Sequence, residues 1–405
     1  MKKTTFVFVA IVLAIGILVS CSKFEPQLPI ADQAIDAPLD GLTPSQNKLH
    51  LDGAAEFDEV YTSANGLGPV YVATSCGGCH SGVNKGHPST ILTRFGQTDT
   101  TGNNFLDKGG PQLQNHALQG HLPEILPNGV AFSKFIAPIT SGLGFLELVS
   151  DADIIAMSKA NNNNTDGVRG RPNWNTVPNY VAVKPNAISQ NGKYICRFGR
   201  KASTYDLHQQ TVQAFNHDMG VTSTYLPQNP INYLEGLTSI PTNDPEISDK
   251  NINAVVFYTQ TLQTPIQRNI DNPNVLQGKQ NFVTVGCESC HKESLKTGYS
   301  PIEALSNKVF HPYTDLLLHD MGANLDDLYT EGTAKTSEWR TTPLWGLGLA
   351  QNAQGGNVYL LHDGRAKSIE EAILLHGGES EKSKIRYQNL SQTEKNNLIE
   401  FLKSL

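Results

Sequence analysis

Two pentapeptides constrain this chain more than any other feature: Cys76-Gly77-Gly78-Cys79-His80 and Cys287-Glu288-Ser289-Cys290-His291. Two thiols separated by two residues can bond covalently to the two vinyl groups of one haem. The histidine that follows then reaches the iron from one face. Each pentapeptide therefore reads as a c-type haem attachment site. Cys76, Cys79, Cys287 and Cys290 are the covalent anchors, and His80 and His291 are the proximal iron ligands. The competing readings are a structural zinc site built from the two thiol pairs, or a redox dithiol. The zinc reading leaves the histidine after each second cysteine unexplained, and a dithiol needs neither that histidine nor a second copy. Two such sites in one polypeptide point to movement of electrons between haems, or to one haem recharging the other.

The amino terminus bears on compartment. Lys2 and Lys3 precede an uncharged apolar run from Phe6 to Val19, and the segment ends in Leu18-Val19-Ser20-Cys21. A basic start, a short apolar run and small residues before a cut describe an export signal over residues 1–20. The cysteine at its end resembles the lipobox of bacterial lipoproteins, which implies cleavage before Cys21 and lipidation of that residue. An uncleaved membrane anchor is the alternative. Either reading puts the folded part outside the cytoplasm, in the cell envelope, and Ser22 after Cys21 is compatible with the outer membrane. No other segment is apolar enough to span a bilayer.

A formal charge of -7 and a charged fraction of 17% leave no basic patch for nucleic acid. Of six cysteines, four belong to the pentapeptides and one to the lipid site, leaving only Cys196, which reads as a packed, idle thiol. Residues 21–48 are rich in Pro, Asp and Ala and read as a tether. Ala54 to Tyr61 and Val275 to Thr284 read as short amphipathic helices leading into the pentapeptides. Ser248 to Leu262 and Ser391 to Leu405 carry apolar residues at helical spacing, the latter opened by a Ser391-x-x-Glu394 capping box. A leading helix, a pentapeptide and a closing helix thus occur twice. That order matches the cytochrome c plan. It predicts a mainly α protein of two cytochrome c-like haem domains, residues 49–265 and 274–405, the first enlarged by loop-rich insertions between about Gly96 and Ile240.

Several further stretches carry a resemblance. They are Gly109-Gly110-Pro111-Gln112-Leu113-Gln114, Arg197-Phe198-Gly199-Arg200-Lys201-Ala202, and Tyr313-Thr314-Asp315 running to His319-Asp320-Met321-Gly322. Trp339-Arg340-Thr341-Thr342-Pro343-Leu344-Trp345-Gly346 and Leu361-His362-Asp363-Gly364-Arg365-Ala366 complete the set. Together they resemble the bacterial di-haem oxidoreductase family, also called thiol oxidoreductases, which is related to the di-haem cytochrome c peroxidases. The similarity runs from about residue 50 to the end, and its motifs identify the family more firmly than the reaction.

What each haem can do depends on the second axial position, since an iron held on both faces suits electron transfer and one with an open face can bind peroxide. In the related peroxidases a His-Asp-Gly turn precedes a helix whose end supplies methionine to the carboxy-terminal haem. A related methylamine-pathway enzyme supplies tyrosine there. Here His362-Asp363-Gly364 precedes Ser368-Ile369-Glu370-Glu371 and a helix ending at His376, before Gly377 and Gly378. The resemblance makes His376 the distal ligand of the His291 haem, and His362 a hydrogen-bonding residue near a propionate. The alternative is that His376 only caps its helix. No convincing partner exists for the His80 haem, as Met219 and Met321 in the repeated His-Asp-Met-Gly read as packing residues. Glu124 is the candidate acid–base group by position relative to the peroxidases. Asn162-x-Asn164-x-Asp166-Gly167 resembles half of a calcium loop, without its closing glutamate, and a metal-free turn competes with it.

Two functions remain open at this point. One is an exported, lipid-anchored di-haem oxidoreductase taking peroxide or another small substrate and exchanging electrons with a redox partner protein or small donor. In it the His291 haem relays electrons to a reactive His80 haem, with Trp174, Trp339 and Trp345 as aromatic residues for the space between. The other is a plain electron carrier with both irons six-coordinate.

Overall fold

The segment before the first pentapeptide folds on a signal held in residues 43–46. The Thr43 hydroxyl accepts the Gln46 N–H at 3.3 Å, and the Gln46 side chain accepts the Thr43 N–H at 2.9 Å. With Pro44 at the first helical position, this capping box starts helix α1, Pro44–Asp58. The computed structural model describes residues 36–80, 86–230, 232–236 and 245–405. The export signal and Cys21 lie outside these described residues. The leading helix therefore starts ten residues before the expected Ala54, and the end of the proposed tether belongs to the folded body. Leu39 and Leu42 are buried, and Leu39 N–H donates to the Thr261 carbonyl at 2.9 Å.

Among the described residues ten further α-helices follow: α2 Cys76–Cys79, α3 Leu143–Glu147, α4 Asp151–Asn161, α5 Leu207–Met219, α6 Asp249–Thr261, α7 Pro273–Val285, α8 Ala350–Ala353, α9 Ile369–Leu375, α10 Glu381–Gln388 and α11 Gln392–Ser404. Helices dominate, as expected, and the described strands form small antiparallel sheets of two or three. The region after Gly96 holds more helix than its Gly, Pro and Asn content predicts. Both α4 and α5 begin at side-chain caps, the Ser150 hydroxyl on Asp153 N–H at 3.0 Å and the Asp206 carboxylate on Gln209 N–H at 2.7 Å.

Two helix pairs share one packing scheme. Helix α1 crosses α6 at Gly53, where a Cβ would lie 2.0 Å from the Ala254 carbonyl oxygen and 2.8 Å from Tyr258 Cβ. Helix α7 crosses α11 at Gly278, where a Cβ would lie 2.0 Å from the Asn397 carbonyl oxygen and 2.7 Å from Phe401 Cβ. In each pair the aromatic residue one turn after the glycine meets the aromatic of the closing helix. Phe57 lies 5.2 Å from Tyr258 and Phe282 lies 5.4 Å from Phe401, ring centre to ring centre. The same two phenylalanines face the pentapeptide histidines, His80 at 6.0 Å and His291 at 6.5 Å.

The core does not divide at residues 265–273. Leu295, Phe310, Leu316, Leu317 and Trp345, all beyond that point, pack into the larger cluster with Ile252, Phe215 and Leu146. A smaller cluster joins Val275, Phe282, Tyr313, Tyr387, Leu398 and Phe401 around the second helix pair. The segment after the second pentapeptide is apolar at more positions than its own helix pair can cover, so it buries them against the first half. Replacing Gly278 by alanine should lower stability by about 1–3 kcal/mol through overpacking at the crossing. Chemical unfolding of the haem-loaded protein measures this, and an unchanged midpoint would contradict so close a helix contact.

Candidate functional site

Gly286, left-handed at φ 92°, ends α7 and turns the chain directly into Cys287. His291 then follows with its Nδ1 2.9 Å from the Tyr313 carbonyl oxygen. A carbonyl only accepts, so Nδ1 carries the proton and Nε2 keeps its lone pair for a metal. His376 repeats the device, with Nδ1 2.6 Å from the Ala372 carbonyl oxygen. His376 is also the C-cap of α9, and that position sends its ring into the same cavity as His291. The cavity measures about 230 Å³, is lined by Cys287, Cys290, Phe282, Leu344, Ile373 and Leu402 among others, and is mainly apolar. Burial pushes His291 down to about 4 and also lowers His376, so both imidazoles are neutral and leave Nε2 unprotonated.

The loop after α9 is clamped rather than free. His319 is buried between two carboxylates, Asp315 at 2.9 Å and Glu379 at 2.8 Å, and lies 3.5 Å from the Cys290 sulfur. Burial opposes its charge, but the Asp315 carboxylate and the Cys290 sulfur hold it well above the ordinary histidine range. Glu379 also accepts the Arg169 N–H at 2.7 Å. The loop carrying Asn162, Asn164 and Asp166 thus docks against the second pentapeptide. Asp166 gives both oxygens to Arg386, and the Asn164 side-chain oxygen caps the Asp166 N–H at 2.8 Å. Asn162 is the exposed C-cap of α4. This corrects the calcium reading, because an arginine takes the one carboxylate that a cation would need. Among the described residues no group of three or more His, Cys, Asp or Glu can hold a metal ion by itself.

His362 is buried in the wall of the second cavity, 2.6 Å from the Asp327 carboxylate and stacked on Trp339 with ring centres 3.6 Å apart. Lys201 places its ammonium 3.7 Å from the Trp339 ring centre. Trp345 packs in the larger core, and Trp174 lies half-buried against it.

The first pentapeptide opens a larger space. Ser75 caps α2 by accepting the Gly78 N–H at 3.0 Å, and Cys76, Cys79 and His80 line a cavity of about 600 Å³. The two thiol pairs occupy separate cavities, so no four-thiolate zinc site forms. Inside the first cavity lies a polar cluster that sequence reasoning did not anticipate. Arg94 binds Glu331 at 2.9 Å and Gln112 at 3.3 Å, and the Gln112 amide donates to Asp218. Tyr329 and Ser203 donate to Glu331 at 2.9 and 2.5 Å. Burial raises Asp218 to about 6. Burial and the nearby Arg94 push His217 down to about 3. Both belong to the His-Asp-Met-Gly repeat, whose Met219 is a core residue. Arg94 and Glu331 lie too far apart in sequence for any local signal.

Glu124 stands outside this cluster. It is buried, its Oε2 accepts the Gln114 N–H at 2.6 Å, and its Oε1 has no hydrogen-bond partner. Burial raises it to about 8, against an ordinary value of 4.5. Cys196 is also buried, with its thiol pushed up to about 12. Both cavities fit a haem: each offers a thiol pair and a following histidine on one wall, with aromatic and aliphatic groups around them.

The raised Glu124 value has a measurable consequence. Between about 4.5 and 8 the folded chain holds a proton that the unfolded chain releases, so stability falls as pH rises through that window. Glu124→Gln should remove this slope, at most about 1.4 kcal/mol per pH unit. Parallel slopes for both proteins in urea unfolding at pH 5 to 8 would contradict the buried, protonated carboxyl.

A family model described as "di-haem oxidoreductase, putative peroxidase" matches residues 124–405, well over half of the chain. No curated protein matches the chain. Among solved structures, Kuenenia stuttgartiensis hydrazine synthase, pressurised with xenon, is similar at 12% identity over 94% of this chain and 96% of that one, with a TM-score of 0.39. The family match covers the second pentapeptide, the His376 helix and the Glu331 side of the first cavity. The chain belongs to the di-haem oxidoreductase family.

Proposed function

We propose that the protein is an exported, lipid-anchored c-type di-haem oxidoreductase of peroxidase-like chemistry, built on two cytochrome c-like haem units. The second site relays electrons, and the first receives peroxide or another small substrate. When bound, the two haems supply iron that exchanges single electrons. The chain's own residues divide the work between them. His291 and His376, each with Nδ1 fixed on a backbone carbonyl and both lining the second cavity, would hold the second haem iron through their free Nε2 atoms. Imidazole in place of methionine would favour the ferric state and lower the potential of a haem held there. Trp339 and Phe135, in edge contact with ring centres 5.8 Å apart, reach from the second cavity to the first. A buried ammonium over Trp339 opposes a positive charge on that ring, which favours a packing role over a stepping-stone role.

The observation that carries the reading is the polar cluster of the first cavity. Asp218 is held by Gln112 and titrates near neutrality, so it can hold a proton or release it at the cavity wall. Arg94, fixed by Glu331, presents positive charge to a reacting oxygen. An electron carrier has no use for such groups. One observation favours the carrier: His217 also lines the first cavity as a neutral imidazole, and ligation by it would fill the second axial position there.

The tests separate these roles. Peroxide-dependent oxidation of a reduced donor should fall about 100-fold in Asp218→Asn with haem content intact. Absence of any turnover in the natural protein would favour the carrier. His376→Ala should convert the second haem from a low-spin to a high-spin optical spectrum, and an unchanged spectrum would refute its ligation.

A further inference from the structure

Two guanidinium groups stand in the partition between the cavities. Arg200 and Arg340 line both of them, and are only 7% and 8% exposed. They are tied to one another and to the backbone. Arg340 donates its backbone N–H to the Arg200 carbonyl at 3.1 Å and its Nε to the Gly199 carbonyl at 2.9 Å. Arg200 donates Nε and Nη2 to the Ile136 carbonyl at 3.1 and 2.6 Å. The Nη1 of Arg340 is buried and has no hydrogen-bond partner among the described residues.

Arg94, Arg171, Arg197, Arg365 and Arg386 each meet a carboxylate. Among the described residues neither Arg200 nor Arg340 forms a salt bridge. Burial lowers Arg200 to about 9, with repulsion from Arg340 adding to it and the Asp363 carboxylate opposing it, and burial lowers Arg340 to about 10. A buried charge without a partner is costly, and a planar guanidinium is shaped to accept a carboxylate. Asp363 acts on Arg200 without forming a salt bridge, so a direct carboxylate partner would come from within the cavities.

We propose that Arg200 and Arg340 form a single carboxylate-binding wall shared by the two sites, taking propionate groups from the haem on each side. The proposal rests on the di-haem reading. Its consequence is electrostatic: one fixed pair of positive charges stabilises the reduced state on both sides of the partition, so the two potentials are set together.

Potentiometric titration of the haem-loaded protein tests it. In Arg340→Met, both midpoint potentials should move to lower values. Arg340→Lys keeps the buried charge and so protects the fold, and it should shift the propionate bending bands of both haems in resonance Raman spectra. Potentials and bands that stay where they are would overturn the proposal. A change confined to one haem would also overturn it, by assigning the arginines to a single cavity. Unmoved bands with weakened binding of acetate, used as a soluble carboxylate probe, would make the wall a substrate site instead. Fewer than two haems per chain in the natural protein would reject the di-haem reading itself, and is read independently from the pyridine haemochrome.

Discussion

Everything near the two sites depends on backbone-to-backbone contact between helices at Gly53 and Gly278. Any larger side chain at either position would meet the opposite carbonyl at about 2 Å, well inside van der Waals contact. The contact draws each leading helix onto its closing helix and fixes where the next turn points. That turn carries Phe57 in one half and Phe282 in the other, and each packs between an aromatic of the partner helix and the pentapeptide histidine. The duplication is therefore physical as well as sequential. The same crossing and the same aromatic wedge beside a pentapeptide histidine occur twice.

The two halves diverge in what surrounds that shared frame. At the second site, distant segments converge to hold a compact, apolar cavity. Asn164 reaches Ser289, Asp166 pairs with Arg386, and Glu379 joins Arg169 to the buried His319 beside Cys290. These contacts brace the turn after α9, where His376 sits, against the pentapeptide that carries His291. At the first site the surroundings are more polar, and Arg94, Gln112, Asp218 and Glu331 form a connected network at the cavity wall. A rigid apolar enclosure suits electron storage with little rearrangement, while a roomy polar one suits proton-coupled chemistry.

The parts legible from sequence are those with local codes. The pentapeptides, the Ser391 capping box and the apolar stripe of α6 state their structure within a few residues. The position of His376 at the end of α9 followed from the Ser368 cap and the paired glycines. Residues 43–46 carried an equally local code that composition obscured, since the proline-rich surroundings looked like a tether. The Asn162–Asp166 segment misled for the opposite reason. Its spacing of oxygen donors is shared by calcium loops and Asx turns, and the deciding partner, Arg386, lies on α10. The polar cluster of the first cavity had no local signature at all, because Glu331 reaches Arg94 only once the chain has folded.

The inequality of the two sites is the central claim, and electron paramagnetic resonance of the ferric, haem-loaded protein tests it most directly. One high-spin signal that changes on adding cyanide or another small ligand, beside one low-spin signal that does not, is the predicted result. Two low-spin signals, both unresponsive to added ligand, would contradict it.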